Sequence, residues 1–411
     1  MIRLTNLYNF RDLSDCKLEI SYFDDGVEVE SRECSLKGLA PRAVLDVFYI
    51  APAVEGEGVL KVRVLEPESP YCEDGHILAE ESFVLGKYNY NAHFLYAQGK
   101  PSAYDDGSSI HITGVDFNAG VDKKTGGIVS MTRLGKELLR SPVLPNFCRA
   151  TIDNDAVPQV PALVGELLGA NRFKKATAVL TPKNVTLGET GNEVTVEIDW
   201  KMPHMKYVKT KYSFYLNGGV RLDLHAESRM FNMERYGFTF ELEPEMTAME
   251  FYGKGPHENY CDRAYSAELG IYSGKPEEFM HDYLYPQENG CRTGVRWLTL
   301  SGGKLSLKVL AVGKEVQTTV HAYTHKQLDE AKHACELKKG KHLTVYVDGG
   351  QRGVGGDTPA MACLNEKYKL KAGVPFSTSC ILFFENKEEY SYEESADATV
   401  TSEETTVEAA E

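Results

Sequence analysis

Apolar residues in this chain recur at every second position, in short runs cut off by turn signals, over nearly its whole length. A period of two puts alternate side chains on opposite faces of a strand and leaves little room for long amphipathic helices. Leu18, Ile20 and Tyr22 point one way and Glu19, Ser21 and Phe23 the other, before Asp24-Asp25-Gly26 closes the run as a hairpin turn. Val59-Leu60-Lys61-Val62-Arg63-Val64 is a second strand, and residues 193–200 alternate in the same way. Tyr212-Ser213-Phe214-Tyr215-Leu216 and Val220-Arg221-Leu222-Asp223-Leu224 flank Asn217-Gly218-Gly219, which predicts a hairpin. Residues 305–312, 342–347 and 377–384 read as further strands. Helical spacing shows best at residues 325–337, where Leu328, Ala331 and Cys335 share a face. Strand and helix do not alternate regularly, which argues against a Rossmann fold or an α/β barrel.

The expected fold class is therefore all-β. Residues 1–88 form a small sandwich, and residues 89–386, entered through the connector Tyr88-Asn89-Tyr90-Asn91-Ala92-His93, form one large many-stranded sandwich. Residues 387–411 are acidic, poor in large apolar side chains and expected to be disordered.

Of 411 residues, 60 are acidic and 45 basic, a net charge of −15, and Glu388 to Glu411 contain no Lys or Arg. An acidic body argues against nucleic acid as a partner, because phosphate binding needs a basic surface. No apolar run is long enough to span a bilayer, so no membrane is expected. Nine scattered cysteines without a CxxC pair read as reduced thiols, with neither a disulfide framework nor a zinc site. Together with an N-terminus that lacks a basic-then-apolar leader, they set the expected location as cytoplasmic.

Three stretches concentrate polar chemistry. Gly253-Lys254-Gly255-Pro256-His257-Glu258-Asn259-Tyr260-Cys261-Asp262-Arg263 offers His257, Glu258, Asn259 and Arg263 as contacts to a sugar or to a neighbouring domain. The alternative is a turn held by an Arg–carboxylate pair, with Asn bonding its own backbone. Tyr285-Pro286-Gln287-Glu288-Asn289-Gly290-Cys291-Arg292 repeats that chemistry, with Glu288 and Asn289 as its candidates. Arg149-Ala150-Thr151-Ile152-Asp153-Asn154-Asp155 places two carboxylates two residues apart, which suits acid–base work, a cation or an Asx turn.

Other apparent motifs carry little. Gly353-Val354-Gly355-Gly356-Asp357 lacks the Gly-Lys-Ser/Thr ending of a phosphate loop. His321 and His325 have the i, i+4 spacing but no third ligand, so no metal site is expected. No Gly-x-Ser-x-Gly elbow occurs, and Asn192-Glu193, which mimics the acid/base dipeptide of some glycosidases, opens an alternating strand.

Taken in order, these stretches resemble the C-terminal part of a family-two glycoside hydrolase of the large bacterial β-galactosidase type. Leu4-Thr5-Asn6-Leu7-Tyr8-Asn9-Phe10-Arg11-Asp12-Leu13 and Leu39-Ala40-Pro41 resemble the immunoglobulin-like domain that follows that family's catalytic barrel. Asn146-Phe147-Cys148-Arg149-Ala150-Thr151-Ile152-Asp153-Asn154-Asp155 is similar to its Asn-Phe-Trp-Arg-Ala-Pro-Thr-Asp-Asn-Asp motif. Residues 253–263, 285–292 and 348–357 are similar to three more motifs of the small-chain domain, and the likeness covers about residues 1–386. The resemblance implies an immunoglobulin-like sandwich followed by a supersandwich related to galactose mutarotase.

It also implies a division of labour. In the family, the barrel carries both catalytic carboxylates and the Mg and Na sites. Retaining hydrolysis needs two carboxyls about 5–5.5 Å apart, and no catalytic residue is assigned to this chain. The expected role is that of a small subunit or C-terminal portion of a retaining β-galactosidase, completing the active-site wall beside a large catalytic chain for a β-galactoside such as lactose. No cofactor is expected in this chain, and its oligomeric state is open. The resemblance places Val157, Pro158, Asp357 and Ala360 next to substrate. Ala360 stands where the family carries a Trp that reaches the sugar, and Cys148 also replaces a Trp. The alternative function is a stand-alone carbohydrate-binding or mutarotase-like protein, in which His257, Glu258 or Glu288 would serve as acid and base.

Overall fold

A computed structural model describes residues 1–91, 94, 96–155, 172–243, 245–356 and 364–386. The first 86 residues hold six strands: β1 (Ile2–Thr5), β2 (Lys17–Asp24), β3 (Val27–Ser35), β4 (Val44–Val47), β5 (Gly58–Glu66) and β6 (His76–Val84). They make a four-stranded sheet in the order β3-β2-β5-β6 and a two-stranded ribbon, β1-β4. Leu18, Ile20 and Tyr22 of β2 are buried with Val62 and Val64 of β5, and Ile2, Leu4, Leu45 and Val47 of the ribbon close over them. This is the face that the alternation of β2 marks as apolar.

Next come β7 (Ser102–Asp105), β8 (Ser109–Thr113), β9 (Phe117–Asp122), β10 (Ile128–Arg133), β11 (Lys136–Glu137) and β12 (Leu139–Asn146). After α1 (Arg172–Ala178) follow β13 (Thr181–Thr190), β14 (Glu193–Lys201), β15 (Met205–Tyr215), β16 (Val220–Ser228), β17 (Arg235–Leu242), β18 (Ala248–Gly255) and β19 (Glu268–Gly274). The remainder are β20 (Arg292–Val295), β21 (Trp297–Gly302), β22 (Leu305–Ala311), β23 (Val316–His321), α2 (His325–Glu330), β24 (Thr344–Gln351) and β25 (Pro375–Asn386).

Two large antiparallel sheets result. One runs β20-β23-β24-β17-β12-β10-β9-β8-β7, with β11 paired to β10, and the other β13-β14-β15-β16-β25-β22-β21-β18-β19. Their inner faces share one core, in which Phe238 and Phe240 of β17 and Val345 and Val347 of β24 meet Tyr212, Phe214, Leu222 and Leu224. Tyr212 and Phe238 face each other across the sheets at 6.4 Å between ring centroids. The all-β class read from the alternation is the class observed. The β15–β16 hairpin turns at Gly218, whose φ of +88° suits glycine. Its missing Cβ leaves room for Phe117 and Arg133, about 3.1 Å from where a Cβ would sit.

The two parts meet through a buried ion pair. Arg296 donates Nε and Nη2 to the two carboxylate oxygens of Glu57 at 2.9 and 2.6 Å, and Tyr252 Oη donates to Glu57 at 2.8 Å. Tyr88 packs with Val59, Tyr252 and Leu269 beside this pair, and Phe94 seats among Tyr215, Leu310 and Ile381. The connector is thus pinned to the large sandwich at both ends; its Ala92 and His93 lie outside the described residues.

The helix expected over 325–337 is shorter. Thr324 and Gln327 form a capping box that starts α2, but Ala331 is already extended, and a separate 3-10 turn covers Ala334–Glu336. Leu328 and Ala331 are buried, whereas Cys335 is exposed, so the third member of the spacing has no core to reach. Glu336 instead accepts the Lys332 N–H at 2.8 Å, which turns the chain out of the helix. Among the described residues no helix is long and apolar enough to cross a membrane.

Candidate functional site

The three polar stretches converge beside one end of the ten-stranded sheet: residues 149–155 follow β12, residues 285–292 lead into β20, and residues 253–263 leave β18 of the other sheet. Arg149, just beyond β12, is almost fully buried. Its guanidinium donates Nε and Nη2 to the two oxygens of Asp155 at 2.8 and 3.0 Å, Nη1 to Gln351 Oε1 at 3.1 Å and to the Arg352 carbonyl at 2.8 Å, and Nη2 to the Gly353 carbonyl at 3.2 Å. These contacts use all five donors of the fork. Arg352 binds the same Asp155. Burial pushes the Asp155 carboxyl up, but Arg149 and Arg352 outweigh it and hold it below the usual carboxylate range.

Behind this clamp lies a second cation, Arg235, with no exposed surface. It donates Nη2 to Asp348 at 2.6 Å, and its Nη1 lies 3.3 Å from Glu288 and 3.0 Å from His325 Nε2. Its guanidinium sits over the Tyr346 ring at 4.8 Å, and His325 stacks on that ring at 4.0 Å. Two carboxylates thus share one permanent cation in a dry setting. Burial raises Glu288, but the Arg235 charge overcomes this and keeps it ionised. Burial pushes Asp348 up to about 7 against the pull of Arg235, so this carboxyl takes up a proton more readily than an exposed one. Burial lowers His325 and favours its neutral form.

The loops at 253–263 and 285–292 are built alike and bonded together. Asn259 Nδ2 donates to the His257 carbonyl at 3.0 Å, and Asn289 Nδ2 donates to the Gln287 carbonyl at 2.9 Å, each bridging back two residues. Asn259 N donates to the Cys291 carbonyl at 2.8 Å, and Asn259 Oδ1 accepts from Thr293 N and Oγ1 at 2.9 and 2.6 Å. Glu258 is held by Arg263, by the Tyr283 hydroxyl and by the Gly290 N–H. His257 points to solvent and lies 3.1 Å from Ser266 Oγ. An Arg–carboxylate pair and two backbone-bonding Asn residues therefore account for most of this polarity. Val157, Pro158, Asp357 and Ala360 lie outside the described residues.

Above the buried clamp is a small open cleft of about 180 Å³, lined among others by Asp153, Asn154, Arg263, Tyr283, Gln287 and Val354. Gln287 Nε2 donates to Asp153 at 3.3 Å, Asn154 Nδ2 to the Val354 carbonyl at 2.8 Å, and the Val354 and Gly355 N–H groups to Asp262 at 3.1 and 2.7 Å. The rim is thus tied across all three stretches. Among the described residues no cluster of three or more His, Cys, Asp or Glu side chains has the arrangement to hold a metal ion. Arg235 and Tyr346 lie outside the polar stretches of the sequence, Tyr346 between Val345 and Val347; an Arg opening the apolar strand β17 is the signal that marks the cluster.

Residues 113–382 match the family described as β-galactosidase small chain, and residues 2–86 match the one described as β-galactosidase, domain 4. The chain belongs to the β-galactosidase small-chain family. A β-galactosidase of Halalkalibacterium halodurans is 27% identical over 380 residues, covering 88% of this chain and 36% of the relative. One from Bifidobacterium adolescentis is 30% identical over 329 residues, 74% of this chain and 30% of the relative. The chain therefore spans about a third of the length of these curated relatives. Among solved structures, galactose 1-epimerase from Lactobacillus acidophilus is similar at a TM-score of 0.43 and 11% identity, covering 70% of this chain and 98% of that one.

One member of this small-chain site has a defined proton state. His321, buried, accepts the Tyr323 N–H at Nδ1 (3.1 Å) and donates Nε2–H to Asn289 Oδ1 at 3.0 Å. Both partners suit the neutral ring, and burial lowers its pKa to about 4. The unfolded chain takes up this proton near pH 6.5 and the folded one does not. Stability is therefore full above pH 6.5 and falls as pH drops towards 4, by up to about 3 kcal/mol from this residue. Urea unfolding between pH 7 and 4 should show this loss, with a flatter profile in His321→Gln. Equal slopes in both proteins would exclude His321 as the source.

Proposed function

We propose that this chain is the non-catalytic portion of a retaining β-galactosidase and works by associating with a large chain that carries the catalytic carboxylates and the Mg and Na sites. The observation that carries this reading is the small-chain match over residues 113–382 in a chain that spans about a third of its relatives. The chemistry of the site supports it. A retaining mechanism needs one carboxyl that is protonated near neutral pH and one free to attack. Here Glu288, Asp155 and Glu258 are engaged by guanidinium groups, and Asp348, whose carboxyl burial pushes up to about 7, has no surface exposure. The cleft suits a wall: rigid, polar and set at a loop-rich end of the sandwich. A stand-alone sugar epimerase would need a free base and acid from His257, Glu258 or Glu288, and the two carboxylates are already bonded. The test is hydrolysis of a chromogenic β-galactoside by the pure chain. No turnover is expected. Turnover that disappears in Glu258→Gln or Glu288→Gln would overturn the reading.

A further inference from the structure

A large chain needs a seat on this one, and the outer face of the β1–β4 ribbon is exposed and rich in apolar side chains. Side chains along residues 42–50 alternate. Ala43, Leu45, Val47 and Tyr49 turn towards the core, while Val44, Asp46, Phe48 and Ile50 turn outward. Ile2 lies opposite Val47, which brings Met1 beside Phe48 on the outward face. Phe48 is 77% exposed and Ile50 91%. Arg3 and Asp46 cross the middle of this face as a bidentate pair at 2.8 and 2.9 Å, so the charges at its centre satisfy each other. At the other end Arg42 bonds Asn9, which places the 7–10 loop there, with Phe10 95% exposed. The strip is about 27 Å long at ~3.3 Å per residue. Each strand of the ribbon pairs only with the other among the described residues, leaving both edges open.

Single exposed apolar residues are ordinary, but a row of them on an unpartnered ribbon is the composition of an interface core. From this we infer that the outer face of the β1–β4 ribbon, together with Phe48 and Ile50 on the segment that continues β4 and Phe10 on the loop after β1, is the surface on which the β-galactosidase large chain seats. This rests on the function proposed above and names the part of the molecule that carries it out. The occupant is a large chain because about two thirds of each relative's length is unaccounted for by this chain, and the stretch carrying the strip matches a module described as the fourth domain. A second copy of this chain is disfavoured by self-repulsion at a net charge of −15.

The test is the affinity of the full chain for a large chain from the same genome, for wild type and for the Phe10→Glu/Phe48→Glu double variant. Both side chains are solvent-exposed, so the variant should keep the wild-type circular dichroism and melting temperature. Its Kd should rise at least about tenfold, as expected on charging interface anchors. Ile50→Ser is the milder second variant should the double one fold poorly. Wild-type binding with unchanged affinity in a folded variant would overturn the seating surface while leaving the proposed function intact. No wild-type binding would overturn both. A concentration-dependent homodimer abolished by the variant would assign the strip to a second copy instead.

Discussion

Replacing Arg235 with Met is expected to lower the stability of the protein by about 4 kcal/mol, a substantial part of the ~5–15 kcal/mol that holds a typical domain folded. Asp348 accepts its 2.6 Å bond, Glu288 lies 3.3 Å away and Tyr346 lies under its guanidinium, all without solvent. The variant strands two carboxylates that burial disfavours in their charged form. The sign of the pH effect follows. Burial without a counter-charge raises both folded pKa values, so the variant's stability is retained below the unfolded carboxylate range and lost as pH rises. Its deficit against wild type should therefore be larger at pH 8 than at pH 5. Adding Asp348→Asn to Arg235→Met removes one stranded charge and should recover part of the loss. Equilibrium unfolding of the three proteins measures this; a loss below about 1 kcal/mol in the single variant would mean that the cluster contributes little.

Arg149→Met should cost a similar amount, about 3–5 kcal/mol, by another route. Arg149 is the joint between two chain segments some 200 residues apart, binding Asp155 on one side and the backbone of Arg352 and Gly353 on the other. Without it, Asp155 keeps Arg352, but the two carbonyls and Gln351 lose their donors. Arg149→Lys should not rescue, because an ammonium cannot present five donors in one plane. The expected signature beyond lowered stability is faster proteolysis near residues 150–155 and 352–356. Resistance equal to wild type in a destabilised variant would show that the two segments hold together by other contacts.

The parts of the fold that local periodicity controls were readable. The alternation from Glu193 and the Asn217-Gly218-Gly219 turn correspond to β14 and the β15–β16 hairpin. Helical spacing at 325–337 overreached, because a capping box at Thr324 can start a helix but only buried contacts sustain one, and Cys335 has none. The polar stretches could be seen as unusual, and their shared Asn-bonded construction was hinted at by the echo between residues 256–260 and 286–290. Their meeting could not be read. Arg235 reaches Asp348 only because β17 pairs with β24, with Gly237 opposite Asp348. Such non-local pairing leaves no trace in the composition of either strand. Nor does spacing separate a carboxylate that contacts sugar from one held by Arg; Glu258 and Arg263 look the same in sequence either way.

Whether this chain completes an enzyme whose chemistry lies elsewhere is measured by titrating it into a fixed amount of large chain from the same genome while following β-galactoside hydrolysis. Activity should rise from the level of the large chain alone and saturate at one small chain per large chain, with none from the small chain by itself. Hydrolysis that scales with the small chain alone, or a large chain whose activity ignores the titration while it binds no small chain, would rule out a completing role for this chain.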